Sequence, residues 1–371
     1  MEQVDFLVIG AGIAGLSAAA RLAAHGRTVV CEGEDAPGVH ASGRSAAFAH
    51  FDMDAPLVRA LTAASLPLLE EPAARPHPAL FIALAGQEAA LDRVETGYRQ
   101  WAPEVERLDA AAAQALVPVL KAGAEGIIGA VLDRSGRKLD AHALLEQHRR
   151  ALSAAGGSIA VRSPVTALRH DGTRWIVDTP GASYATRVLV NAAGAWVDAV
   201  ARIADVPPIG ITPLRRTVIT FDVPEGMDVS AWPFTKTVGP GFYIEPEGRG
   251  RLLACAMDEH PSDPCDAQPE DEDMALAAWR VEEATALQIR RLAGKWAGLR
   301  SFAPDRLPVA GFDPAAPGFF WLAGQGGFGL QTSPAMALAV EALATGGDWP
   351  EVLRAVGVEP DQLARERLGT A

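Results

Sequence analysis

A chain of 371 residues, 49% of them hydrophobic, can bury a large core and divides most simply into two domains. Its net charge of −13 excludes a nonspecific nucleic-acid binder, which needs a basic field to draw phosphates. Cys31, Cys255 and Cys265 form no CxxC pair, which excludes a disulfide framework and a thiolate metal site and suits a reducing, cytoplasmic compartment. No leader is expected ahead of the first strand, which Val4 already starts, and no apolar run approaches the roughly 18 residues of a transmembrane segment.

Val4 to Ile9 reads as a buried β-strand that runs directly into Gly10-Ala11-Gly12-Ile13-Ala14-Gly15. Gly10 permits the tight turn, Gly12 lets backbone approach a pyrophosphate, and Gly15 lets the next helix pack closely on the sheet. Leu16, Ala19, Ala20 and Ala23 continue at helical spacing to His25-Gly26, and Thr28 to Cys31 forms a second strand ending at Glu32. That carboxylate stands where a ribose hydroxyl is expected, and the helix N-terminus offers N–H groups to phosphates. The order strand, glycines, helix, strand, acid marks a dinucleotide site.

Pro37 to Ala47 follows as a small-residue segment too polar for a core helix. Further on, strands are expected at Leu80 to Leu84 and Gly126 to Leu132, with alanine-rich helices between them. Asp140 caps a helix that Gly156-Gly157 stops, and strands follow at Val161 to Arg169 and Thr173 to Asp178. A buried strand ends in a second small-residue turn at Asn191-Ala192-Ala193-Gly194-Ala195-Trp196, where Asp198 reads as a helix cap. Long strands at Ile211 to Val223 and Phe242 to Glu245 precede a helix after Pro269, whose acidic run Glu270 to Asp273 reads as a solvated first turn. The strand Phe319 to Ala323 then enters a third glycine-rich loop, Gly324 to Gly329, that opens a helix running to about Thr345. Cofactor-type loops near residues 10, 44, 194 and 327, with unlike material between them, make the cofactor-binding unit discontinuous.

These segments together resemble the FAD-dependent D-amino acid oxidase superfamily, and within it the D-arginine dehydrogenase-like D-amino acid dehydrogenases. The resemblance rests on VIGAGIAG at 8–15, HASGRSAA at 40–47, VRALTAAS at 58–65, VLVNAAGAW at 188–196, KWAGLRSF at 295–302 and GQGGFGLQTSPAM at 324–336. It implies an α/β (α+β overall) fold in which a Rossmann-like FAD-binding domain (1–75, 137–205 and 295–371) is interleaved with a substrate domain (76–136 and 206–294) on a mostly antiparallel sheet. It also implies an FAD site at Gly10, Gly12, Ile13, Ala14, Gly15, Glu32, Gly33, Ser42, Gly43, Arg44, Ser45, Ala46, Val165, Ala193, Gly194, Trp196, Gly298, Arg300, Gly326, Gly327, Phe328, Gly329, Leu330, Gln331 and Thr332. No cysteine stands in a flavin-attachment motif, so the FAD is expected to be noncovalent.

Oxidation of an amino acid by a flavin requires the substrate carboxylate to be oriented so that the Cα–H faces the ring, which a bidentate arginine does best. Arg215 or Arg216, in the strand Pro213 to Phe221, and Arg300, inside the apolar run Trp296 to Phe302, qualify by their setting, since an unpaired charge there is costly. The resemblance selects Arg216 and Arg300 as the clamp, with Tyr243 on the substrate carboxylate or amine and the Gly327 backbone at the reaction centre; alternation sends Arg215 to the other face. Phe48, His50, Met53, Ala79, Lys236 and Gln331 are expected to line the substrate pocket. His50 is a candidate base, although a lone histidine is more often structural.

Relatives that favour cationic side chains carry a glutamate, a histidine and a tyrosine where this chain has Ala79, Phe48 and Met53. That removes the acidic partner for a guanidinium and argues against D-arginine or D-lysine. Lys236 stands where such relatives are apolar; solvated and outward is the simpler reading, while pointing inward it favours an acidic side chain or raises oxygen reactivity. The expected activity is oxidation of a D-amino acid with a neutral, apolar side chain to an imino acid, then to a 2-oxo acid and ammonia. The alternatives are an acidic D-amino acid, a secondary amine such as an N-methyl amino acid, glycine, a 2-hydroxy acid, or a flavin-carrying subunit without turnover of its own. The electron acceptor, quinone or oxygen, and the oligomeric state stay open at this point.

Overall fold

The computed structural model describes residues 1–102, 104–123 and 126–369; Pro103, Ala124, Glu125, Thr370 and Ala371, which the expected domain ranges include, lie outside the described residues. The strand Glu2–Ile9 lies parallel to Thr28–Cys31 on one side and to Ser183–Asn191 on the other, at the centre of an eight-stranded sheet. The inner residues of these strands are almost continuously buried, as expected of parallel strands covered on both faces. Phe319–Ala323 joins Ser183–Asn191 in parallel, and Ala167–His170 with Trp175–Asp178 adds an antiparallel extension. The first extension strand starts later than the apolar alternation suggests, at Ala167 instead of Val161. Helices Ile13–Leu22, Ala141–Ala154 and Gly329–Thr345 pack together on one face around Leu16, Leu22, Leu152 and Val340. Asp140 caps the second of these as expected, its carboxylate accepting the Ala143 N–H at 2.9 Å.

A nine-stranded sheet forms the second layer. It is antiparallel except where Phe234–Thr237 runs parallel to Ala79–Leu84. Helices Ala110–Leu116 and Asp271–Ala284 bury one face of it against Leu80, Ile82, Ile219, Phe221 and Ile244. The strand Gly294–Phe302 pairs along its whole length with Thr212–Asp222. It therefore belongs to the second sheet, so the boundary expected at 295 cuts through a hydrogen-bonded strand pair. A small sheet of Phe48–Ala49, Ala74–Pro76 and Arg137–Leu139 stands where the chain passes between the layers.

Two polar expectations change once the layers are assembled. Asp198 does not cap a helix; its carboxylate accepts the N–H groups of Ile209, Gly210 and Ile211 at 3.1, 3.1 and 2.8 Å, pinning the crossover into the second sheet. The run Glu270 to Asp273 is not wholly solvated either. Asp273 is buried and holds Arg215 and the Thr217 hydroxyl, and Glu270 pairs with Arg215.

Glu245, on the strand Tyr243–Pro246, is fully buried beside Lys138 Nζ at 2.8 Å, and burial pushes its carboxyl up to about 7. Between the ordinary carboxylate range and about 7 the folded protein thus binds more protons than the unfolded chain, so this group's contribution to stability is lost as pH rises through that window. The thermal midpoint is expected to fall between about pH 5 and 8, and Glu245→Gln should flatten that fall. Equal pH slopes in the two proteins would remove this assignment.

Candidate active site

A cavity of about 1230 Å³ lies between the two large sheets, lined by residues of both. A pocket for a small ligand measures roughly 300–1000 Å³, so this one has room for a dinucleotide and a small second molecule. Its floor is the exit of the first strand. Gly10, Gly12, Ile13 and Ala14 line it where the helix Ile13–Leu22 begins, with no side-chain cap and no acid in its first turn. Ser42 Oγ accepts the Ile13 N–H at 2.9 Å, which draws the Val39–Ala47 segment over the turn. Glu32 closes the same corner: it accepts the Ala11 N–H at 2.7 Å and the Glu34 N–H at 2.9 Å while still facing the cavity. Gly15 lies behind the wall, where an added Cβ would stand 1.9 Å from the Gly10 carbonyl oxygen.

A second bank comes from Gly33, Val165, Ala193, Gly194 and Trp196, with the Trp196 ring 4.7 Å from that of His40. Ser45 and Ala46 line the wall, and so does Arg44, whose guanidinium binds the Val39, Ala267 and Ala297 carbonyls and Asp266. Its observed work is to tie the loop to the second sheet. The third bank is Gly326, Gly327, Phe328, Gly329, Leu330 and Gln331, at the uncapped start of the helix Gly329–Thr345. Besides Gly15, two more of the expected cofactor residues are off the wall. Gly43 closes a turn with its N–H on the Gly38 carbonyl at 2.8 Å, and the Thr332 hydroxyl is turned back to the Phe328 carbonyl at 2.8 Å.

This set fits FAD. Two helix starts, neither capped by the side chain of its own N-cap residue, face one cavity and suit a pyrophosphate and a ring that gains negative charge. At Gly12 a Cβ would close on Ser42 Oγ at 3.2 Å, narrowing the cradle where phosphate must approach. Among the described residues no cluster of three or more His, Cys, Asp or Glu is placed to hold a metal, and no helix is long and apolar enough to cross a membrane.

At the other end, register brings the arginines together. Arg216 is opposite Gly298 and Leu214 opposite Arg300, so alternation puts both guanidinium groups on the cavity face as diagonal neighbours. Arg300 lies across Gly327: an added Cβ there would be 1.4 Å from Arg300 Nη2, so only glycine leaves room for the guanidinium. Burial and the neighbouring Arg216 push the Arg300 group down to about 10, still charged at neutral pH. The two arginines share a carboxylate that sequence reasoning missed. Glu259 Oε1 accepts Arg216 Nη2 at 3.1 Å and Arg300 Nη1 at 3.3 Å, and Arg306 Nη2, stacked over Phe302, completes the cluster at 2.9 Å from Oε2. Tyr243 lines the cavity beside them, its hydroxyl held neutral because burial pushes it well above the usual range.

Beyond the arginines the cavity wall carries Phe48, His50, Met53 and Lys236. Lys236 is not a solvated lysine: it faces the cavity and pairs with Asp52, a residue without any signal in the local sequence. Ala79 is not in the pocket; it is fully buried in the core with Phe81 and Phe234. Gln331 touches the cavity, but its amide donates to the His50 carbonyl at 3.1 Å and to Thr62 Oγ1 at 2.7 Å. The His50 ring is tied into its own segment. Its Nδ1 accepts the Asp52 N–H at 3.0 Å, which leaves the ring proton on Nε2, and burial beside Lys236 and Arg300 pushes its pKa down to about 3.

Residues 5–343 match the family model described as FAD dependent oxidoreductase (DAO). The chain is 27% identical over 263 residues to the uncharacterized oxidoreductase YurR of Bacillus subtilis, a match spanning 67% of this chain and 66% of that protein. It is 25% identical to glycine oxidase of Geobacillus kaustophilus over 70% of this chain and 67% of that one. The crystal structure of L-proline dehydrogenase from P. horikoshii superposes with a TM-score of 0.85 over 99% of this chain and 98% of that chain, at 18% identity, which shows the shared fold. With the glycine cradle, the paired helix starts and the family match covering most of its length, the chain belongs to the DAO family of FAD-dependent oxidoreductases and takes FAD as its cofactor.

Proposed function

We propose that the protein oxidises a D-amino acid with a neutral side chain at Cα, giving an imino acid that hydrolyses to a 2-oxo acid and ammonia. The observation that carries this reading is Arg300: a half-buried cation laid over Gly327, next to a second guanidinium, with Glu259 shared among three arginines and the Asp258 carboxylate 4.0 Å from Arg216 Nε, so that the cations outnumber the carboxylates. Such a site attracts a further carboxylate and orients it by a two-pronged contact. When bound, FAD accepts the hydride equivalent from Cα. Arg300 and Arg216 hold the carboxylate, Tyr243 donates its hydroxyl to the same end of the substrate, and Gly10 to Ala14, Glu32, Ser42 and Gly326 to Gln331 hold the cofactor. His50 accepts no proton, so the amine reaches the ring already neutral or loses its proton to water. The D configuration rests on the motif resemblance, and oxidation next to an amine is supported by similarity to glycine oxidase.

Anaerobic mixing of the FAD-loaded protein with D- and L-leucine, D-methionine, glycine, sarcosine and a 2-hydroxy acid tests this. D-leucine and D-methionine are expected to bleach the flavin absorbance fastest. Bleaching by the hydroxy acid alone, or by the L-amino acid in preference to the D form, would overturn the reading.

A further inference from the structure

We propose that the Lys236–Asp52 ion pair is the element that selects the substrate's side chain, admitting neutral groups and rejecting charged ones of either sign; the proposal rests on the amino-acid reading above. Lys236 stands directly opposite Tyr243 in the antiparallel pair Phe234–Thr237 and Tyr243–Pro246. Opposed residues share a face with Cβ atoms roughly 4.5–5.5 Å apart, so the ammonium stem rises beside the clamp tyrosine. From there Nζ reaches the Asp52 carboxylate and also donates to the Thr237 carbonyl at 3.2 Å. The side chains of the pair are only 17% and 10% exposed, and both residues line the cavity.

The wall beside the pair is largely aromatic. Phe234, on the same face two residues before Lys236, stacks on Phe48 at 4.4 Å and on His50 at 5.7 Å. A side chain leaving a Cα whose carboxylate is held at Arg300 and Tyr243 runs along these rings toward the pair. A neutral group leaves Lys236 and Asp52 joined. An acidic group must take Lys236 while lying beside the Asp52 carboxylate, and a basic group must take Asp52 while lying beside the Lys236 ammonium. In either case a desolvated charge meets one of its own sign. Removal of one partner reverses the situation, because the surviving charge is buried and uncompensated until a substrate of opposite sign supplies its counter-charge.

The experiment compares kcat/KM ratios in FAD-loaded wild type, Asp52→Asn and Lys236→Met, with the flavin spectrum of each variant recorded as a check on cofactor binding. Asp52→Asn should raise the D-glutamate to D-leucine ratio by about tenfold or more, and Lys236→Met should raise the D-arginine to D-leucine ratio by a similar factor. The double variant should return both ratios toward wild type. General damage to the fold or to the FAD site moves all substrates together and cannot produce opposite changes of preference. Unaltered ratios in both variants, with wild type still oxidising D-leucine, would overturn the selection role and leave the amino-acid reading standing. A wild type reduced by no amino acid overturns that reading, and the proposal with it.

Discussion

Replacing Arg300 with alanine is expected to lower the rate constant for flavin reduction by the amino acid about 10²- to 10³-fold while FAD stays bound. The guanidinium is the group that brings a carboxylate over Gly327, and its loss leaves substrate free to bind with Cα away from the ring. Arg216 does not replace it. Its Nε is committed to the Asp258 carbonyl at 2.6 Å and one Nη to Glu259, so a single edge remains. Arg300→Lys keeps the charge but loses the fork, so it should recover only part of the rate. The check is single-turnover absorbance under anaerobic conditions, with the visible spectrum reporting retained FAD. A variant as fast as wild type would mean that the carboxylate is held elsewhere.

Glu259 shapes that result. Through contacts of 3.1 Å to Arg216, 3.1 and 2.9 Å to Arg306 and 3.3 Å to Arg300 it sets the direction of the three guanidiniums at once, and the longest is the one to Arg300. An entering carboxylate therefore displaces the weakest of the four contacts and leaves the arginine frame in place. The residual positive charge of the cluster, three guanidiniums against the Glu259 and Asp258 carboxylates, is what a monoanionic headgroup meets.

The cofactor half of the molecule was legible because its signals are local. The strand, the turn glycines, the helix and Glu32 all lie between residues 4 and 32, and each is dictated by neighbours a few positions away. Arg216 and Arg300 were legible for a different reason: a charge within an apolar strand demands a partner or a ligand, alternation puts Arg215 and Arg216 on opposite faces, and the motif resemblance selects Arg216 for the site. What escaped was whatever depends on pairing across the layers. Lys236 and Asp52 are 184 residues apart, and neither shows in its own segment that the other will neutralise it. Asp198 has the spacing of a helix cap, yet the backbone N–H groups of 209–211 outcompete the helix for its carboxylate. Ala79 belongs to the pocket by analogy of position alone; it packs with Phe81 of its own strand and Phe234 of the next, and a small residue there fills core. Thr332 failed similarly: one turn into a helix, a threonine hydroxyl finds the carbonyl four residues back before it finds a ligand.

Gly15→Ala is expected to be the most damaging single methyl in the chain, costing more than about 4 kcal/mol and abolishing FAD retention on purification. The methyl would lie 1.9 Å from the Gly10 carbonyl oxygen, 3.1 Å from its carbon and 3.3 Å from Val8 Cγ1, so it meets backbone that no rotamer change can move. Gly10 cannot retreat, because it already sits at φ +99° with its own Cβ direction 2.7 Å from the Ala192 carbonyl oxygen. The helix Ile13–Leu22 must therefore lift off the sheet. That movement carries Gly12, Ile13 and Ala14 out of the cavity floor and opens the packing of Leu16 and Leu22 against the other two helices. Stability and cofactor binding thus fail through one displacement. Gly181→Ala is the matched control: no atom lies within 4 Å of the added methyl, and a thermal midpoint within about 2 °C of wild type is expected. If Gly15→Ala purified with a full complement of FAD and a wild-type midpoint, the close helix–strand contact would not be what holds the dinucleotide cradle in shape.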